Sequence, residues 1–225
     1  MAQLIAFSNI TAQPWKNGGG STTEIAIGPQ GAGFNDFDWR ISVATVASDG
    51  PFSLFAGIDR TLVLLQGAGM DLQTDDGRIR ALRPDAPDWV FPGEWPVMAR
   101  LCNGVTVDFN VMTRRSRYRH QVRHHSLPHH PLQNTGGGSN GGSSGGSNQP
   151  GQTIQLTRQL PLTLFFVAAI NDNESCQLGE HQLRRFDSLL LDANDDAALM
   201  LQSSATLSLL QVELAPLAAG LQSKE

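Results

Sequence analysis

Lysine is almost missing from this chain: of 225 residues only Lys16 and Lys224 carry an ammonium, and the 16 Lys and Arg together are outnumbered by 21 Asp and Glu. The net charge of −5 excludes a general binder of polyanions or anionic membranes, because the whole-molecule field repels phosphate. Cysteine is scarce too. Cys102 and Cys176 cannot build a disulfide framework, and no CxxC or Cys/His finger spacing occurs. The longest apolar run, 162–170, falls far short of the roughly 20 residues a membrane helix needs, so no membrane partner is expected. The first residues, MAQLIAFSNI, lack a basic stretch followed by an apolar segment and a small-residue cleavage site, so a cytoplasmic location is expected. No long capped 3.6-residue period appears, which argues against a helical bundle and leaves room only for a helical turn within 51–58. With 40% hydrophobic and 16% charged residues, the chain is nevertheless a folding, globular one.

What is present divides in the middle. Residues 134–151 read NTGGGSNGGSSGGSNQPG, a composition that behaves as a flexible coil and offers no side chain to a core. This linker divides the chain into a first half, 1–133, and a second, 152–225. Both read as β-structure. Segments 21–27, 37–46, 61–65, 97–101 and 105–112 are rich in β-branched and aromatic residues and are bounded by Gly, Pro, Asp and Asn turns. Segments 162–170, 176–178, 189–191, 198–201 and 207–214 repeat the style. Asn103-Gly104 tolerates the positive φ angles of a two-residue turn and predicts a hairpin over 101–105. Many short strands at this spacing predict an all-β sandwich or barrel.

Alternation along the first-half strands is the most informative pattern. Side chains alternate faces with a period of two, so each strand is two separate lists. One list holds Phe37, Trp39, Ile41 and Val43, with Val105, Val107, Phe109 and Val111, and with Thr23, Ile25 and Ile27. The other holds Arg40, Ser42 and Ala44, with Thr106, Asp108, Asn110 and Met112, and with Thr22 and Glu24. A solvent face would carry interchangeable Lys, Glu, Thr and Gln. Arg beside Ser and Asp beside Asn fit a polar-lined barrel interior better.

Two further segments carry candidates. Lys16 and Asn17 precede three glycines, whose N–H groups can line an anion-accepting concavity or simply form a tight turn. The GxxxxGK[ST] order of a nucleotide loop is absent. Segment 50–60, GPFSLFAGIDR, joins two strands; Phe52 and Phe55 read as core or pocket wall, and Arg60 as a carboxylate partner through its planar fork.

Read in order, 15–25 (WKNGGGSTTEI), 39–44 (WRISVA), 50–55 (GPFSLF), 62–67 (LVLLQG) and 108–114 (DFNVMTR) resemble the HutD/Ves family. The match covers the first half and extends weakly over the second. The resemblance implies a cupin-type double-stranded β-helix barrel, a bicupin with a degenerate second half, and an association with histidine utilisation. It carries over Lys16, Asn17, Arg40, Phe52, Arg60, Asp108 and Asn110 as pocket residues; Ser42 joins them from the same strand face.

Cupins often hold a metal, yet the His-x-His, Glu and later His of that pattern are missing from the predicted first-half strands. His124, His125, His129 and His130 lie beside the flexible segment, where adventitious metal binding is the simpler reading. No metal and no cofactor is therefore expected. A serine triad lacks its histidine, and Cys102 reads as a small buried hydrophobe. Lys16 reads as a cationic anchor, and Asp108 as the ion-pair partner that orients Arg40 or Arg60. The leading reading is a binding protein for a small carboxylate of the urocanate, formiminoglutamate and formylglutamate class that modulates histidine utilisation. A metal-independent enzyme acting on the same metabolites, with Asp108 or Lys16 as acid/base, is the alternative. The arginine-rich 114–123 leaves a third, nucleic-acid reading, although an edge strand guarded by charge suits the acidic total better. Open sheet edges leave room for a homodimer.

Overall fold

Four antiparallel sheets organise residues 1–128 and 152–217, which are those the computed structural model describes. The 134–151 linker expected from composition lies outside the described residues. In the first half a six-stranded sheet runs in the order Gln13–Pro14, Gly20–Gly28, Trp39–Val46, Thr106–Arg114, Ile58–Gln66, Asp88–Pro92. A four-stranded sheet, Gly50–Pro51, Val97–Leu101, Met70–Thr74, Ile79–Leu82, closes over it, joined by a core of Val46, Leu62, Met70, Leu72, Leu82 and Val97. The second half repeats this plan. A five-stranded sheet (Gln3–Ile5, Ser188–Leu191, Leu162–Ala169, Leu207–Pro216, Tyr118–Leu127) packs on a four-stranded one (Gln152–Thr157, Ala198–Ser203, Cys176–Leu178, His181–Leu183).

The two lists of side chains find two different neighbours. Ile41, Val43, Val63, Phe109 and Val111 lie in one cluster with Leu164, Phe166, Leu210, Val212 and Leu214 of the five-stranded sheet, and the rings of Phe109 and Phe166 are 4.5 Å apart. Each such side chain stabilises by roughly 1.5–3 kcal/mol on leaving water. The opposite list therefore faces the first barrel's interior. Two positions break the simple alternation. A register shift between Glu24 and Ala26 turns Ile27 to the other face, where it joins Phe37, Ile58 and Met112.

The sheets divide the chain differently from its composition. Gln3–Ile5 and Tyr118–Leu127 belong to the second half, because Tyr118–Leu127 forms a continuous ladder with Leu207–Pro216 and Gln3–Ile5 pairs with Ser188–Leu191. The 101–105 segment is not a hairpin. Val97–Leu101 pairs only within the four-stranded sheet and Thr106–Arg114 only within the six-stranded one, so this turn carries the chain between sheets, using Gly104 at φ +73. Segment 51–58 forms no helix; among the described residues a single 3-10 turn occurs, at Phe7–Asn9. Among the described residues no helix is long and apolar enough to cross a membrane.

A histidine bridges the halves. His120, on the edge strand of the five-stranded sheet, has its two ring nitrogens 2.7 Å from the hydroxyls of Thr61 and Thr113 of the six-stranded sheet. Burial pushes its pKa down to about 4, against a smaller opposing pull from Asp59. An unfolded chain takes up this proton near 6.5, so the His120 contribution is present above that pH and fades as the pH falls towards 4. Urea unfolding at pH 7.5 and pH 4.5 should show the wild type losing about 2–3 kcal/mol more than His120→Gln over that interval. Parallel pH profiles would remove the clamp from the account.

Candidate functional site

Register across the six-stranded sheet stacks the inward side chains in rungs. Arg40, Met112 and Arg60 form one, Ser42, Asn110 and Leu62 the next, and Ala44, Asp108 and Leu64 the third. All of these except Leu62 and Leu64 line a cavity of about 960 Å³, to which Lys16, Asn17 and Phe52 contribute from two loops. All eight sequence candidates, Lys16, Asn17, Arg40, Ser42, Phe52, Arg60, Asp108 and Asn110, thus share one hollow. Sequence reasoning did not single out Glu24, Phe34, Trp15 or Thr22, which line it too. Glu24 and Thr22 shared the inward list, and with Trp15 they fall in the 15–25 motif.

Arg60 sits deepest. Its guanidinium carbon lies 4.9 Å from the ring centre of Phe91 and 5.4 and 5.5 Å from those of Phe52 and Phe55, a cation–π cage. Its Nη2 donates to Asn110 Oδ1 at 2.9 Å, and its Nη1 to the Ser53 carbonyl at 3.4 Å. Asn110 in turn donates to Asp108 Oδ1 at 2.9 Å. The expected direct ion pair of Asp108 with an arginine is therefore not formed; Asn110 stands between, because it occupies the rung between theirs. Asp108 Oδ2 and Arg60 Nε are buried without a hydrogen-bond partner among the described residues. Burial pushes the Asp108 carboxyl up to about 7, against the pull of Arg60 and the Asn110 hydrogen bond, and lowers Arg60 to about 10, still a cation at neutral pH.

Arg40 is arranged for outward work. Its Nε donates to Glu24 Oε2 at 2.8 Å and its Nη1 reaches Ser42 Oγ at 3.5 Å, while its guanidinium stacks 5.5 Å from the centre of the exposed Phe34 ring. Arg40 Nη2 and the exposed Lys16 ammonium have no partner among the described residues. The three glycines form a turn and not an open anion cradle. Gly18 N–H donates to the Trp15 carbonyl at 3.0 Å and Gly19 N–H to Asn17 Oδ1 at 3.0 Å, while a Cβ on Gly20 would meet Thr45 O at 2.2 Å.

The donor set does not suit a cupin metal. Among the described residues no group of three His, Cys, Asp or Glu converges, and two guanidiniums on the wall would repel a divalent ion. Cys102, expected buried, is exposed in the crossover between sheets. The arginine-rich segment is largely engaged with the protein's own groups. Arg115 holds Asp59 and Glu94, Arg117 holds Asp38, Arg114 donates to the Phe37 carbonyl, and Arg123 holds the buried Glu213.

Fold and cavity together define a cupin-type all-β protein whose hollow is lined by arginine, lysine and amide groups. The chain belongs to the HutD family, whose model matches residues 7–141. An uncharacterized 21.2 kDa protein in the hutC 3' region of Pseudomonas putida is 41% identical over 122 residues, 54% of this chain and 63% of that protein. Protein Ves of Cronobacter sakazakii is 42% identical over 110 residues, 48% of this chain and 59% of its own. The matched stretch thus spans about three fifths of these relatives. The solved HutD of Pseudomonas fluorescens SBW25 (formate condition) has a TM-score of 0.72 at 27% identity and covers 97% of this chain and 100% of that one. A conserved protein of unknown function from Pseudomonas aeruginosa PAO1 has a TM-score of 0.76 at 26% identity, covering 96% and 99%. The fold alone extends further, to a bacterial pirin from Escherichia coli solved with nickel(II), at 9% identity and a TM-score of 0.61.

The buried carboxyl makes a checkable contribution. The folded state keeps the Asp108 proton up to about pH 7, whereas an unfolded chain releases it near 3.8, so its stabilising share is full at low pH and is lost as the pH rises through 7. Asp108→Asn should therefore gain a few kcal/mol on the wild type between pH 5 and pH 8 in chemical unfolding. A constant difference across that range would show the carboxyl to be ionised throughout.

Proposed function

We propose that this protein is a receptor for a small carboxylate of the urocanate, formiminoglutamate and formylglutamate class, and that its occupancy modulates histidine utilisation. The family is linked to the histidine-utilisation region, and a relative in the hutC 3' region supports placing the ligand among those metabolites. The observation that carries the reading is the pairing of uncommitted cationic donors, Arg40 Nη2 and Lys16 Nζ, with a hollow whose wall mixes polar groups with the rings of Phe34, Phe52 and Phe55. A carboxylate drawn from water into such a place regains charge-assisted hydrogen bonds in a poorly solvated setting. Asn17 from the loop, and Asp108 and Asn110 from the floor, supply the polar groups that read the rest of the molecule.

One observation favours a second reading. A carboxyl held near pKa 7, as Asp108 is, suits general acid/base work, so an enzyme acting on the same metabolites is its natural competitor. The arginines of 114–123 are mostly paired with this chain's own acids, which leaves little free charge for nucleic acid.

Calorimetric titration with urocanate, formiminoglutamate and formylglutamate tests the receptor. Arg40→Ala should lose about 1.5–3 kcal/mol of affinity, the worth of hydrogen bonds to a charged group, or about 10- to 150-fold. Unchanged affinity in that variant, or no binding of any of the three by the wild type, would overturn the assignment. Product formation seen by NMR, and lost in Asp108→Asn, would replace the receptor with the enzyme.

A further inference from the structure

We infer that the cavity takes up an anionic ligand together with a proton, and that Asp108 is where the proton goes. This rests on the receptor reading and concerns the same hollow. Asp108 lines the cavity yet is 1% exposed, and its charged form is poorly provided for. Its Oδ1 accepts one hydrogen bond, from Asn110, and its Oδ2 has no partner among the described residues. Arg60 cannot supply the missing donors. Its Nη2 is given to the Asn110 side-chain oxygen and its Nη1 to the Ser53 carbonyl, and three rings surround the guanidinium. It therefore acts on Asp108 through space only.

An anion entering the hollow makes an ionised Asp108 costlier in two ways that share one sign. Its charge repels the carboxylate, and the water it displaces deepens the desolvation that already favours the neutral form. Neither effect requires a particular pose. Arg60 lies within electrostatic reach of both Arg40 and Asp108, so charge at the arginine end of the wall is felt on the floor. The other charged side chains on the wall are Lys16, Glu24, Arg40 and Arg60. The 51–55 loop adds none, and the four-stranded sheet closes the barrel with Met70, Leu72, Val97 and Ala99, which do not titrate. Burial sets the Asp108 carboxyl at about 7, so near neutrality it stands ready to change charge. Like charges about 10 Å apart, at an effective dielectric of about 20, alter proton affinity roughly tenfold. Solvent supplies the proton, and no bond within the ligand changes. Occupancy then falls as the pH rises past neutrality.

Formylglutamate is the probe, because it carries no cation and no group that titrates near neutral pH. Calorimetry at pH 7.5 in Tris and in HEPES reads the protons exchanged, since the two buffers differ in ionisation heat. The wild type should take up about half a proton per ligand, and its affinity should fall roughly fivefold between pH 6.5 and pH 8.5. In Asp108→Asn, which stays neutral throughout, both effects should vanish. Should that variant not fold, carbon-13 NMR of the wild-type Asp108 carboxyl must show its titration midpoint rising when formylglutamate is added. Binding without proton uptake, uptake that persists in Asp108→Asn, or an unmoved midpoint overturns the inference and leaves the receptor standing. A wild type that binds none of the three metabolites overturns the receptor, and this inference with it.

Discussion

Everything inside the first barrel depends on an apolar contact outside it. Ile41, Val43, Phe109 and Val111 are covered by Leu164, Phe166, Leu210 and Val212 from the neighbouring sheet. Because strand side chains alternate, burying that face against a second sheet obliges the other face to point into the hollow. A slip of one residue would send Arg40, Asp108 and Asn110 into the contact between halves, where guanidinium and carboxylate would be stranded among leucines and phenylalanines.

Given that orientation, the hollow is organised by the cost of burying charge. Arg60 stays cationic in the interior because three aromatic rings face it and Asn110 and Ser53 accept from it. Asp108 has no such compensation: one oxygen has a single amide donor and the other none, so its carboxyl holds a proton far above the usual carboxylate range. The second half handles the same problem differently. Its interior is filled by Phe165, Val167, Leu178, Leu189, Leu201 and Leu209, and its buried Glu213 is satisfied by Arg123 and the backbone N–H groups of Gln159 and Leu160. One barrel keeps a hollow, the other a packed core.

Much of this was legible in residue order. The strands centred on Ile25, Val43, Phe109, Phe165 and Leu210 follow from β-branched runs between turn residues, and period two separated the greasy list from the polar one. The strands Met70–Thr74, Ile79–Leu82 and Asp88–Pro92 were not anticipated, because charges, turn residues and prolines interrupt them and their partners, not their composition, make them strands. Glu24, though on the inward list, was not singled out, and Phe34 escaped notice, for a related reason. A glutamate on a strand and a phenylalanine in a loop are ordinary until a cavity is seen between them. The basic 114–123 stretch likewise looked like a surface feature until its arginines were found holding Asp38, Asp59, Glu94 and Glu213 from distant segments.

Residue order alone determined the all-β character, the two-faced strands and the set of polar groups available to the hollow, since these depend on local backbone preference and on a periodicity of two. Only the tertiary structure decided which sheet covers the greasy face, that Tyr118–Leu127 joins Leu207–Pro216, that Asn110 separates Asp108 from Arg60, and that Glu24 stands beside Arg40. Those outcomes hang on distances between residues far apart in the chain, and hydrogen-bond and ion-pair energies fall away within a few ångströms, a scale that linear spacing does not encode.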